Sequence, residues 1–440
     1  MRSGLLNFIS ELRASYWYIP LIMAIAAFLL AILTLRLDNI LVWHWLETWG
    51  WLHAKNPEGA RILLSTIATS MITVAGVTFS ITIVAVAFAA SQVGPRLATN
   101  FMRDRSNQIT LGTFIATFLF CLFILLALFN ANKSGIIEVD NIVFVPHISL
   151  LVAILLTLSS IIVLINFVHH IPESINMSNI IAQVGEEFAC QIDRQFPINI
   201  GKEHPKKPVD IPQRYQKHKA IVAKKNGYIR ILDGNSLIDI AHNNELIIQL
   251  EVRPGDYVAE DSPLLDIYFA KEIENSVCEQ CLNTFVLGHK RNQEQDILFL
   301  VDEMVEIIAR ALSSGVNDPF TAINCMDWLQ SNLLKISKTA EPSPYRYDSE
   351  DNLRLITKPI SFTEFCELIF CRIQPYVCRD RNAALHLMTV IISIYNNINN
   401  HEHKITLASH AQSLKDAVTN FLMNEDSNRI RNLYNKNFST

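Results

Sequence analysis

Between residues 66 and 80 the chain places Thr66, Thr69, Thr73, Gly76 and Ser80 at steps of three, four, three and four. That spacing puts all five on one face of a helix, and Ala87 and Ala90 continue it. Inside a membrane, such a row of small and hydroxylated side chains can do two things. It can let a neighbouring helix approach closely and hydrogen-bond across the contact, or, repeated around the axis of a symmetric oligomer, it can line a water-filled path. Both readings stay open here. A cationic cluster follows the row, with Arg96, Arg103 and Arg105 standing beyond the helix-breaking stretch Ser91, Gln92, Gly94, Pro95 and only Asp104 opposing them. At a pore mouth this cluster favours anions; otherwise it anchors the loop to anionic headgroups.

A second polar set lies far along the chain. Ile297, Val301, Met304, Ile308, Ala311 and Leu312 form an apolar stripe at helical spacing, with Asp296, Asp302, Glu303, Glu306 and Arg310 off it. In the following Ser313–Pro319 stretch, Gly315 can end that helix in the left-handed region while Asp318 caps the next, with Pro319 at its first position. Capping accounts for most of the motif. The functional alternative is a ligand site at the helix junction, built from Glu303, Arg310, Asn317 and Asp318 and open to a small molecule or a protein partner.

The remaining chemistry-bearing residues carry weaker signals. Cys278 and Cys281 form a lone C-x-x-C with no second pair, and their helical surroundings make it two positions on one face rather than a zinc or redox site. The paired His169 and His170 point about 100° apart on a helix and read as polar end residues. His401 and His403 face different ways, so no metal is assigned. Gly227-Tyr228-Ile229 and Pro254-Gly255-Asp256-Tyr257-Val258 look like the paired turns of a biotinyl or lipoyl barrel, yet the DGNSLIDIAHNNELIIQ between them holds no lysine to modify. With no metal set, phosphate loop or nucleophile elbow in view, we expect neither an enzyme nor a cofactor.

The elements that must position these residues follow from composition. The chain has 440 residues, of which 50% are hydrophobic and 18% charged. Residues 1–170 hold only nine Lys/Arg and seven Asp/Glu, against 28 and 35 in the remaining 270. The first part is therefore a membrane domain and the second a soluble one. The net charge of -5 excludes a basic nucleic-acid-binding surface.

Four apolar runs are long enough to cross a hydrocarbon core of about 30 Å: Tyr18 to Leu35, Ile62 to Ala90, Gln108 to Phe129 and His147 to Val168. The second, as a helix, would be about 43 Å long and must tilt or project. An even number of spans returns the soluble part to the side of the N-terminus. Arg2 and Arg13 before the first span, with Arg96, Arg103 and Arg105 between the second and third, put both on the cytoplasmic side. Trp43, Trp45, Trp49 and Trp51 suit an outward-facing interfacial loop.

Two blocks carry a family resemblance. TVAGVTFSITIVAVAFAASQVGPRL at Thr73–Leu97, followed by NFMRDR at Asn100–Arg105 and LGTF at Leu111–Phe114, resembles a bacterial predicted-membrane-protein family, domain of unknown function 2254. QDILFLVDEMVEIIARALSSGVNDPFTA at Gln295–Ala322 resembles its cytoplasmic signature, which more often has Pro in place of Ser314 and Ile in place of Val316. The resemblance implies a bacterial inner-membrane protein with a cytoplasmic domain, and no activity.

The expected fold is an α-helical membrane protein of four transmembrane helices with a C-terminal cytoplasmic α+β domain. Its plan is a membrane domain over 1–170, a helical connector and Pro-rich linker over 171–215, a small β-rich subdomain over 216–270 and a mostly helical domain over 271–440. The leading functional expectation is a homo-oligomeric conduit for small ions, anions slightly preferred, regulated by the cytoplasmic domain. In it Thr66, Thr69, Thr73, Gly76 and Ser80 line the path and Arg96, Arg103 and Arg105 set the field at its mouth. The alternative is a membrane-tethered sensor or scaffold whose soluble domain binds a ligand or protein.

Overall fold

The computed structural model describes residues 17–40, 57–94, 105–133, 145–204, 211–212, 215, 217–270 and 272–438. They form two compact units, divided between Asn176 and Met177.

The first unit is helical: α1 Tyr18–Ile40, α2 Pro57–Val93, α3 Arg105–Lys133 and α4 His147–Ile175. Each is long and apolar enough to span a membrane. At 37 residues, α2 is about 55 Å long and exceeds the hydrocarbon thickness, as its uncharged run leads one to expect. The most buried helix is α3, which packs on the other three through Leu111, Phe114, Phe120, Cys121, Ile124 and Leu128. Gly112 lets α1 in close, because a Cβ there would stand 2.6 Å from Met23 Sδ and 3.3 Å from the Pro20 Cα. Between α3 and α4, the hydroxyls of Thr117 and Ser160 meet at 3.1 Å in the interior, the kind of interhelical contact that lipid-embedded helices use. Asp38, near the end of α1, accepts from the Ile148 N–H at 2.8 Å, the Ser149 N–H at 3.1 Å and the Ser149 hydroxyl at 2.6 Å. A carboxylate thus satisfies the first free amides of α4 and matches the positive end of its dipole.

The second unit, residues 177–438, is α+β. It opens on α5 Met177–Ile192, which buries Ile180, Ile181, Val184, Phe188 and Ile192 in the unit's own core. The stretch expected to be a connector is therefore a core helix, and the break falls six residues later than expected. Strands β1 Lys202–Glu203, β2 Lys217–Val222, β3 Gly227–Leu232, β4 Ile247–Leu250, β5 Tyr257–Val258, β6 Pro263–Phe269, β7 Phe285–Gly288, β8 Tyr345–Tyr347 and β9 Leu353–Ile356 make two sheets. One is ordered β1-β8-β9-β4-β6-β2, the other β5-β3-β7. The larger sheet is antiparallel except where β4 lies parallel to β9. The β layer thus draws strands from 202 to 356, rather than forming a subdomain within 216–270.

Helix α6 Gly234–Asn243 occupies LIDIA, whose β-branched residues suggest a strand. The local chemistry favours the helix: Asp233 accepts from the Ser236 N–H at 3.1 Å and its hydroxyl at 2.7 Å, and Leu237, Ile238 and Ala241 share a buried face. The remaining helices are α7 Asn275–Leu282, α8 Ile297–Ala311, α9 Pro319–Lys338, α10 Phe362–Cys366, α11 Arg372–Val377, α12 Arg381–Asn397, α13 His401–Val418 and α14 Asn424–Phe438, with a π-helical turn over Glu367–Cys371 between α10 and α11.

Candidate functional site

The first candidate site is the small-residue face of α2. Among the residues this helix buries against its own unit are Leu64, Ala68, Met71, Ala75, Thr78 and Thr82. At about 100° per residue, those six cluster on one side, and Thr66, Thr69, Thr73, Gly76 and Ser80 fall on the opposite side. All five are exposed, and a Cβ on Gly76 would meet nothing within 4 Å. Among the described residues, therefore, nothing packs on this row. Its hydroxyls donate inward along the helix, Thr66 to the Ile62 carbonyl at 2.7 Å, Thr73 to Thr69 at 2.8 Å and Ser80 to Gly76 at 2.9 Å. This removes the cost of an unpaired hydroxyl in an apolar medium while leaving oxygen lone pairs outward. Buried Thr78 and Thr82 lie outside the face singled out from spacing; Thr82 bonds to the Thr78 carbonyl at 2.9 Å. Arg96 and Arg103 lie outside the described residues, whereas Arg105 is exposed at the start of α3.

The second candidate, the α8–α9 junction, sets Glu303 apart from the other three residues, while the Asp318 N–H bonds to the Ala311 carbonyl, next to Arg310, at 2.8 Å. Glu303 is 1% exposed and lies on the buried side of α8, where the spacing places it on the polar side. Arg310, seven residues and about 10 Å further along the helix, pairs with Glu306 through Nε at 3.2 Å and Nη2 at 3.1 Å. Asp318 caps α9, accepting from the Thr321 N–H at 3.2 Å and its hydroxyl at 2.6 Å, with Pro319 in the first turn. The left-handed position belongs to Asn317 (φ 50°), not to Gly315, as suits a residue whose short amide tolerates that region. The motif closes two helix ends.

What spacing misses is an arginine clamp at the other end of α8. Asp296 caps α8, accepting from the Phe299 N–H at 3.1 Å, and takes Arg291 Nε at 2.6 Å and Nη2 at 3.0 Å. The two oxygens of Asp302 are held by Arg291 and by Arg372. Arg253 grips Glu364 with both terminal nitrogens, and its own N–H donates to Asp256 at 3.0 Å. Gly255 (φ 95°) presses its backbone on this cluster, because a Cβ there would fall 2.3 Å from an Asp296 oxygen. Burial pushes the Asp296 carboxyl up, and Arg291 only partly offsets it. Burial alone would lower Arg291, but Asp296 and Asp302 outweigh it and raise it. Gln295 acts as a strand partner, taking the Leu232 N–H at 2.8 Å and donating to its carbonyl at 3.3 Å. The one local signal was Asp296 standing immediately before an apolar helical run.

Elsewhere, the expected paired turns do meet, with Tyr228 opposite Tyr257 and their rings edge-on at 5.1 Å; the β3–β4 connection is α6, not a hairpin. Cys278 and Cys281 are both buried on α7, and burial, then the neighbouring Cys278, pushes the Cys281 thiol up to about 12. That thiol stays protonated and is a poor nucleophile. Among the described residues no group of three or more His, Cys, Asp or Glu could hold a metal ion. A cleft of about 840 Å³ opens between α6 and α7, lined by Asp233, Asp239, Glu272, Glu274, Asn243 and Gln280.

Against known proteins, the model of the family described as predicted membrane protein, domain of unknown function 2254, matches residues 13–393. An uncharacterised protein of Mycobacterium bovis and one of Mycobacterium tuberculosis are each 26% identical over 356 residues, covering 78% of this chain. The match covers 64% of each relative's own length, so the chain spans less than two thirds of them. No solved structure matches.

Proposed function

From the premise that the chain belongs to the predicted-membrane-protein family domain of unknown function 2254, we propose that it assembles as a homo-oligomer around a conduit for small ions in the bacterial inner membrane. The observation that carries this reading is the placement of Thr66, Thr69, Thr73, Gly76 and Ser80 opposite the buried side of α2. A helix facing lipid alone gains nothing from such a row; a second copy or a water path does. None of the spans carries a mid-depth Asp, Glu, Lys or Arg, so a passive path fits better than a carrier that relays protons. Arg96, Arg103 and Arg105 at the inner mouth would favour anions. Both termini are assigned to the cytoplasm by the arginine bias of the short loops, and Asp38 on the first Ser149 amide suits that plan, because it joins the exit of α1 to the entry of α4. The second unit is assigned a regulatory role and no chemical step.

The test is flux into liposomes and single-channel recording of the purified protein, beside Thr73→Trp and a variant neutral at 96, 103 and 105. The expected result is a conductance that Thr73→Trp blocks while subunit assembly survives, and that loses anion preference on charge removal. Silence over a wide range of voltage, tension and salt would overturn it. A specific observation favours a second reading, the tethered sensor: the 840 Å³ cleft between α6 and α7 is large enough for a small-molecule ligand.

A further inference from the structure

Of the eight cysteines, six are buried and only Cys190 and Cys371 are exposed. Exposure alone makes no site; the groups around the thiol decide. Cys371 closes the π-helical turn between α10 and α11, and it lines a cleft of about 550 Å³ between that turn and α13.

The cleft is pinned at both ends. The Thr363 and Thr406 hydroxyls meet at 3.1 Å, and Gln374 Nε2 donates to the Ser413 hydroxyl at 3.0 Å. Both ties advance in the same direction along the two segments, so α10, the π-turn and α11 run alongside α13. Between the ties, the turn inserts an extra residue into its helix, a distortion that recurs at functional sites.

His410 projects from α13 into this gap. Its ring meets that of Phe370, the residue before Cys371, at 5.2 Å. Gln374 lies three residues beyond Cys371 and its partner Ser413 three beyond His410, so thiol and imidazole stand on facing sides. The imidazole is 8% exposed, yet neither ring nitrogen has a hydrogen-bond partner among the described residues. Buried polar groups ordinarily have partners, because an unpaired one carries a desolvation penalty. Burial holds the ring uncharged at neutral pH, with Glu367 opposing, and an uncharged imidazole leaves one nitrogen as a free acceptor. A thiol and an unpartnered base thus share a space of the size that takes a small molecule. Glu367, Cys371 and His410 do not make a metal site, since no such group occurs among the described residues.

We propose that Cys371 is a site of reversible mixed-disulfide formation with a low-molecular-weight disulfide, whose retained half sits in the cleft against His410. The Cys371 proton passes to the acceptor nitrogen of His410, and the thiolate attacks one sulfur of the disulfide. A new S–S bond forms as the old one breaks, and the leaving thiolate takes the proton back from the imidazolium. Cys371 is oxidised, the leaving sulfur is reduced to a free thiol, and no other oxidant enters. The inference does not depend on the conduit.

The test uses the full chain in detergent, reduced beforehand and then incubated with glutathione disulfide. Peptide mass spectrometry follows the fraction of Cys371 and of Cys190 that carries a glutathione half, in the wild type, His410→Gln and Ile405→Trp, each checked for a cooperative melt above the assay temperature. Cys371 should react about ten-fold faster than Cys190, and His410→Gln should bring the two rates within about two-fold, as loss of the proton acceptor requires. Ile405 is 58% exposed on the rim of the cleft. Ile405→Trp should slow glutathione disulfide at Cys371 several-fold more than it slows the smaller bis-hydroxyethyl disulfide. Equal rates at Cys371 and Cys190 in the wild type would overturn the proposal. So would a Cys371 preference that survives His410→Gln, or an Ile405→Trp effect blind to disulfide size, either of which leaves an exposed thiol only.

Discussion

His410 shows how the fold sets the behaviour of one side chain. Its imidazole is 8% exposed, tilted against the Phe370 ring at 5.2 Å. Burial holds its pKa below the ordinary imidazole value, and the Glu367 carboxylate opposes this without overcoming it. The folded state therefore binds fewer protons at this site than the unfolded chain. Stability must fall as pH drops through the ordinary value of about 6.5 toward the folded one, and stay reduced below it. We expect the melting temperature of the detergent-solubilised protein to fall between pH 7.5 and 5, and His410→Gln to flatten that fall. The substitution should cost about 1 kcal/mol at pH 7.5. A slope unchanged by the substitution would assign the acid sensitivity to other groups.

At the scale of elements, two glycines in neighbouring helices make opposite demands. Gly112 on α3 has α1 pressed against it, with a Cβ landing 3.3 Å from backbone at Pro20, whereas Gly76 on α2 has nothing within 4 Å. Gly112→Val must therefore push α1 away, at a cost of about 1–3 kcal/mol for overpacking. Gly76→Val should leave the melting temperature of the protomer unchanged, because no described residue of its own unit has to move. Paired thermal melts in detergent check both, and a loss at Gly76 equal to that at Gly112 would contradict this packing. The four spans and the α2 face were legible from the chain, because uncharged runs and a three-four step are local patterns. Helix α5 was not. Glu186, Glu187 and Asp193 give it a polar look, and its apolar set Ile180, Ile181, Val184 and Phe188 reveals a core helix only once α9 supplies the surface it covers. LIDIA misled for the reverse reason, since its β-branched residues suggest a strand while the Asp233 cap and the face it shares with Ala241 decide for a helix. The clamp on Asp296 and Asp302 was legible only in its cap. The arginines at 253, 291 and 372 meet acids at 364, 296 and 302, and most of those separations carry no periodic signal.

At the scale of the whole molecule, α5 determines where the second unit can be cut. Five apolar side chains of α5 are buried within that unit. At about 1.5–3 kcal/mol each, they contribute on the order of 10 kcal/mol, as much as the net stability of a typical domain. The cut that composition suggests, after the proline-rich stretch at residue 215, also removes β1. Arg346 is 1% exposed and its Nη1 lies 3.3 Å from Glu203 on β1; burial already lowers its pKa, with Glu203 opposing. Removing that carboxylate would leave a buried guanidinium uncompensated, a loss of about 3–5 kcal/mol. The expected outcome is that residues 177–440 expressed alone are soluble and melt cooperatively, while residues 216–440 aggregate. Size-exclusion chromatography and circular-dichroism melts of the two fragments separate the cases. If 216–440 folds as well as 177–440, α5 is a connector after all; if neither folds, the second unit depends on the membrane helices for its stability and cannot be studied apart from them.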